Sequence, residues 1–159
     1  MQDSGCSANR DLRRLGHRPG GGMGMQDSGP QGTPPGLSPA EEVLRGVLKE
    51  LDAFDGYVLQ VTASAREARV RIRAILMCSF TLHMYFHVIA GRYGFVLTKG
   101  NRILRRWDNA PHYPRVGLHH VHDEFGRVLP SNLVGDPVRD TRVVMEEVIR
   151  ILRRECPLR

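Results

Sequence analysis

Residues 69–88 read R-V-R-I-R-A-I-L-M-C-S-F-T-L-H-M-Y-F-H-V. Apolar and polar residues alternate on both sides of Met77-Cys78-Ser79. Before the link, Val70, Ile72, Ala74 and Leu76 oppose Arg69, Arg71 and Arg73. Beyond it, Phe80, Leu82, Met84, Phe86 and Val88 oppose Thr81, His83, Tyr85 and His87. Successive strand side chains point to opposite faces, so a period of two predicts two strands with one apolar face each. The short link makes them an antiparallel hairpin. One face of such a sheet must be covered.

Working outward, residues 57–63 (Y-V-L-Q-V-T-A) predict a strand, and residues 64–67 a turn. Residues 93–98 and 102–107 predict a second hairpin around Lys99-Gly100-Asn101, a favoured turn sequence. Residues 126–130 suit a short further strand. The cover is supplied by two helices. Ser38-Pro39-Ala40-Glu41 is a capping box with Pro at the first helical position, and Val43, Leu44, Val47, Leu48 and Leu51 follow at helical spacing to about Ala53. Asp136-Pro137 or Asp140-Thr141 opens a last helix to about Arg154, with Val144, Val148, Ile151 and Leu152 as its apolar stripe. The expected fold is α+β: an antiparallel sheet of about five strands with an N-terminal and a C-terminal helix packed on one face.

At 159 residues the chain is long enough for one domain with a real core. Residues 1–37 carry Pro19-Gly20-Gly21-Gly22 and Pro34-Pro35-Gly36 and few large apolar residues, so they are expected to form a disordered extension to a domain at 38–155. M-Q-D-S-G occurs at 1–5 and again at 25–29, which makes Met23 or Met25 a candidate internal start. The net charge is +6, and +5 of it lies beyond residue 37. A basic surface favours nucleic acid or an acidic protein, with plain solubility as the ordinary alternative. Cys6, Cys78 and Cys156 are scattered and form no C-x-x-C pair, so no disulfide framework or zinc ribbon is expected. No run of 18 apolar residues predicts a membrane span, and a cytoplasmic setting is expected.

Residues 106–122, R-W-D-N-A-P-H-Y-P-R-V-G-L-H-H-V-H, hold the chemistry. Four of the seven histidines and the only Trp lie there. Pro111 and Pro114 keep the stretch out of a helix or central strand, so it reads as a stiff loop leaving a strand near Trp107. Two imidazoles can cleave RNA without a metal, one as base and one as acid, with an Arg stabilising the developing charge. This reading makes His112, His120, His122, Asp108 and Arg106 the candidate catalytic residues, and expects no cofactor and activity that survives EDTA. The weaker metal alternative uses His112, His120 and His122, with His119 and Asp108 also in reach. If residues 118–121 continue as a strand, His120 and His122 point to one side. For any single His, a structural ring is the ordinary reading, and Asp108-Asn109 could simply form an Asx turn. On the outward sheet face, Arg71, Arg73, His83, Tyr85 and His87, joined by Arg115 of the loop, are candidate nucleic-acid contacts. Cations beside an aromatic ring suit single-stranded RNA. A face covered by a partner chain is the competing reading.

Arg105-Arg106-Trp107-Asp108-Asn109-Ala110-Pro111-His112 followed by Leu118-His119-His120-Val121-His122 resembles the TumE family of toxins from toxin–antitoxin pairs, whose pattern is R-[YFW]-D-N-x-P-H-[HYF] and then F-P-H-H-x-H. Tyr93, Phe95, Leu97 and Gly100 match the family's upstream hairpin, and Val128-Leu129-Pro130-Ser131 its downstream strand. The resemblance covers about residues 57–152. The chain departs from it at Met77-Cys78-Ser79, where D-G-S is usual, at Phe86-His87, where an acidic residue usually stands, and at Gly117-Leu118, in place of F-P. The resemblance implies a small cytosolic growth inhibitor neutralised by a cognate antitoxin. RNA is the expected target, and a homodimer is an allowed arrangement. The alternatives are a non-catalytic RNA- or protein-binding module and a metal-dependent hydrolase.

Overall fold

The computed structural model describes residues 36–156. The expected extension at 1–37 lies, apart from its last two residues, outside the described residues. Ser38 opens helix α1 (Pro39–Asp52) with both halves of the capping box in place: Glu41 N–H donates to Ser38 Oγ, and Ser38 N–H donates to Glu41. A cap of this kind is worth about 1 kcal/mol. Then come seven strands: β1 (Val58–Arg66), β2 (Arg69–Leu76), β3 (Phe80–His87), β4 (Arg92–Lys99), β5 (Arg102–Asp108), β6 (His120–Asp123) and β7 (Val128–Pro130). Helix α2 (Pro137–Glu155) closes the order. Asp136 is its N-cap, accepting from the Val138 and Arg139 amides. Asp140 lies in the first turn instead and is buried, its carboxylate accepting from the Val134 and Gly135 amides of the preceding loop.

Every strand pairs antiparallel with the next, giving one sheet in the order β1 to β7. The sheet has seven strands where about five were expected. β7 is the short strand read from residues 126–130. β6 was hidden because Pro111 and Pro114 argued against a strand. Both prolines fall in the 109–119 connection, outside the ladder. β1 also runs on to Arg66, past the expected turn at 64–67, and the reversal falls on Glu67, whose φ is +52°.

The alternation reads as expected. Val70, Ile72, Ala74, Leu76, Phe80, Leu82, Met84 and Phe86 are buried, and with Phe95, Leu97 and Trp107 they join one core cluster. Val47 and Leu51 of α1 and Val144, Met145, Val148, Ile151 and Leu152 of α2 belong to the same cluster. Each Val, Leu, Ile, Met or Phe side chain among them contributes about 1.5–3 kcal/mol on leaving water. The two helices meet closely at Gly46, where an added Cβ would lie 2.7 Å from Val138 Cγ2.

The cysteine expectation is overturned. Cys78, in the 3₁₀ link Met77–Ser79, is disulfide-bonded to Cys156, the C-cap of α2, with Cα atoms 6.3 Å apart. The pair is separated by 78 residues, and no local spacing announces it. Among the described residues, no helix is long and apolar enough to cross a membrane.

Candidate functional site

The site is built by β5 and β6. Trp107 turns into the core, where its Nε1–H donates to Glu147 of α2 at 3.2 Å. Strand alternation therefore sends Arg106 and Asp108 to the other face. Across the ladder Asp108 pairs with His120 and Arg106 with His122, while Val121 pairs with Trp107 on the core side. One aromatic anchor thus places four functional groups on one patch of the outer face. The 109–119 connection folds back over it. The Tyr113 ring lies edge-on to His120 and His122, with centroids 5.3 and 5.4 Å away. His120 is fully buried, and Asp108 is 3 % exposed.

Asp108 is surrounded. Its Oδ1 accepts from the Ala110 amide at 3.0 Å, the Asx turn anticipated as an ordinary alternative, and lies 3.0 Å from His120 Nε2. Its Oδ2 lies 2.7 Å from Arg106 Nε and 3.7 Å from His122 Nε2. His120 Nδ1 is 3.2 Å from the Leu118 carbonyl oxygen. A carbonyl can only accept, so Nδ1 carries the proton. The approaches to Asp108 are close but not aligned. Asp108 Oδ2, His120 Nε2 and His122 Nε2 are buried atoms without a hydrogen-bond partner. Burial lowers the pKa of His122 from its ordinary value. Asp108 opposes that shift, and His120, Arg106 and His112 add to it.

The other candidates disperse. His112 and Arg115 are exposed on the connection. His112 is no ring packed under Trp107; it sits edge-on to Tyr113, with centroids 6.3 Å apart. His119 is stacked parallel on Tyr93, and its Nδ1 lies 2.8 Å from the Tyr93 hydroxyl. Burial first, then Asp140 and Asp108, push the Tyr93 pKa up. The hydroxyl therefore keeps its proton, and its hydrogen bond with His119 Nδ1, whose direction follows the tautomer of the ring, is a structural contact. Asn109 bridges to the start of β4, accepting from the Tyr93 amide at 3.0 Å and donating to the Gly91 carbonyl at 2.7 Å.

A groove of about 610 Å³ crosses the outer face, lined among others by Arg71, Arg73, His83, Tyr85, Arg106 and Asp108. The strand registers order it into two rows. One runs Arg71, Tyr85, Gly94, Asp108, His120; the other runs Arg73, His83, Val96, Arg106, His122. Arg71, Arg73, His83 and Tyr85 thus come together as one lining. His87 does not line the groove, and its Nδ1 accepts from the Ala90 amide at 3.2 Å. Sequence reasoning missed Gly94. A Cβ there would meet only the Trp107 carbonyl oxygen, at 4.0 Å, so its missing side chain opens the floor between Tyr85 and Asp108. A Gly inside an otherwise alternating strand was the available signal. Tyr113 was also missed, because only the folded-back connection gives it a role.

A family model described as Toxin TumE matches residues 39–155. No curated protein and no solved structure matches the chain.

Proposed function

The chain belongs to the TumE family of toxins, and from that premise we propose that it acts on RNA seated in the outer-face groove. The observation that carries this reading is the pair of cross-strand rows, in which arginines and a tyrosine lead to the Asp108 cluster. A single strand needs cations for its phosphates and flat rings for its bases. Arg71 and Arg73 supply the first at one end of the groove, Tyr85 and His83 offer ring faces along it, and Arg106 meets a phosphate at the far end. His87 and Arg115 stand beyond the groove and serve a longer strand. The reactive centre in this proposal is Asp108, His120 and His122, with exposed His112 at its rim. A phosphodiester held by arginines beside that cluster makes strand cleavage the fitting reaction class.

A cognate antitoxin is the natural partner of a toxin, and in this reading it covers the groove. Coverage of a basic face by acidic side chains would block RNA and hide Tyr85 together. A domain at 38–155 suffices for all of these roles.

The test is RNA binding by fluorescence anisotropy, combined with growth on induction. Replacing Arg71 and Arg73 together by Ala should weaken single-stranded RNA binding and lower the slope of log affinity against log salt by about 1.4, at roughly 0.7 per lost phosphate contact. The same variant should relieve growth inhibition. A folded double variant that binds RNA as the unaltered chain does would place the strand elsewhere.

A further inference from the structure

We propose that Asp108, His120 and His122 bind one first-row divalent cation, with Zn²⁺ as its representative. This goes beyond the action on RNA, and it is tested without RNA, so either reading can fail alone.

The first ground is the tautomer of His120. Its Nδ1–H is committed to the Leu118 carbonyl, so the neutral ring presents the Nε2 lone pair. That nitrogen lies 3.0 Å from Asp108 Oδ1, close but without hydrogen-bond alignment, and His120 itself is fully buried. Two acceptors in contact repel unless a cation stands between them. A ring nitrogen fixed by a backbone carbonyl is also the usual support for a metal-binding His.

The second ground is the count of orphans. Arg106 accounts for the charge of Asp108, but it leaves both imidazole Nε2 atoms without partners. A proton on His120 would satisfy one of them and leave His122 as it is. One cation satisfies both rings together with the carboxylate. The Arg106 side chain is half exposed and approaches from the solvent side, so it can yield Oδ2.

The third ground is size. Ligand atoms on a tetrahedron of metal–nitrogen and metal–oxygen bonds of about 2.0–2.1 Å lie roughly 3.3 Å apart. Here the carboxylate oxygens lie 3.0 Å and 3.7 Å from the two Nε2 atoms, and the three ligand atoms fall within 4.8 Å of one another. Closing the set needs shifts of well under a side-chain length. Two imidazoles and a carboxylate suit Zn²⁺ and its neighbours better than the all-oxygen preference of Mg²⁺ or Ca²⁺. Three protein ligands leave a fourth position open, as in catalytic rather than structural sites. Asp108 also lines the groove, so that position can face a ligand lying there.

The experiment is a Zn²⁺ titration of the full chain stripped with EDTA and dialysed. It is followed by calorimetry and by NMR of the imidazole signals. The expected result is one equivalent bound, with the signals of His120 and His122 moving to saturation at that point while those of His83 and His87 stay in place. Asp108→Asn and His122→Ala should each weaken binding at least tenfold, with far-UV circular dichroism checking the fold. The NMR readout on the unaltered chain holds even where a variant fails to fold. Absence of binding at micromolar Zn²⁺, or saturation that moves other histidines instead, overturns the proposal. So does a His120 ring protonated on both nitrogens in the presence of Zn²⁺, which would assign a proton to the gap.

Discussion

Replacing Gly94 by Val separates the groove from the fold. The added Cβ meets only the Trp107 carbonyl, at 4.0 Å, and Gly94 is not among the residues with left-handed backbone. The strand therefore accepts the side chain. Gly inside a strand costs roughly 0.5–1 kcal/mol relative to Ala, and the variant should recover about that much. For a domain of this size the gain is a rise in Tm of about 2–6 °C. The two methyls of Val stand between Tyr85 and Asp108 in the cross-strand row. They would lift a base from the Tyr85 ring, and a stacked base is worth about 1–3 kcal/mol. The expected cost is therefore about 5- to 150-fold in RNA affinity. The assay pairs a thermal melt with anisotropy of a labelled single-stranded RNA. A variant with raised Tm and unchanged affinity would refute the groove as the binding site.

Asp140→Ala removes the acceptor for the Val134 and Gly135 amides, and should cost about 1–3 kcal/mol in a denaturant melt. Gly46→Val pushes a branched side chain into Val138 at the helix crossing. It should destabilise by about 1–3 kcal/mol in the same melt, despite the better helix propensity. A chain beginning at Leu37 should melt within a few degrees of the full-length chain, because residues 1–36 have the composition of an extension that buries little. Cys156→Ser opens a 78-residue loop and should cost about 2–4 kcal/mol under non-reducing conditions, read as a lower denaturant midpoint.

Local rules were enough for most of the scaffold. The period-two pattern of residues 69–88 decided which side chains of β2 and β3 face the core, because a strand has only two faces. Ser38 with Glu41 marked the start of α1, because a cap is chemistry between residues three apart. The D-N-x-P-H and H-H-x-H elements pointed to the toxin family, and the family match agrees. The i, i+2 spacing of His120 and His122 already put both on one side of any strand containing them.

What the sequence could not supply was register across distance. Asp108 and His120 are joined by an 11-residue connection whose prolines argue against a strand, yet they stand opposite each other because Trp107 and Val121 are drawn into the core together. The same nonlocal docking set Cys78 beside Cys156 and brought Tyr113 over the imidazoles, while His112, the neighbour of that tyrosine, stayed at the surface. Chain-local patterns carry the direction of a side chain. Only the burial of apolar surface from remote segments, shared by the whole core, fixes which side chains meet.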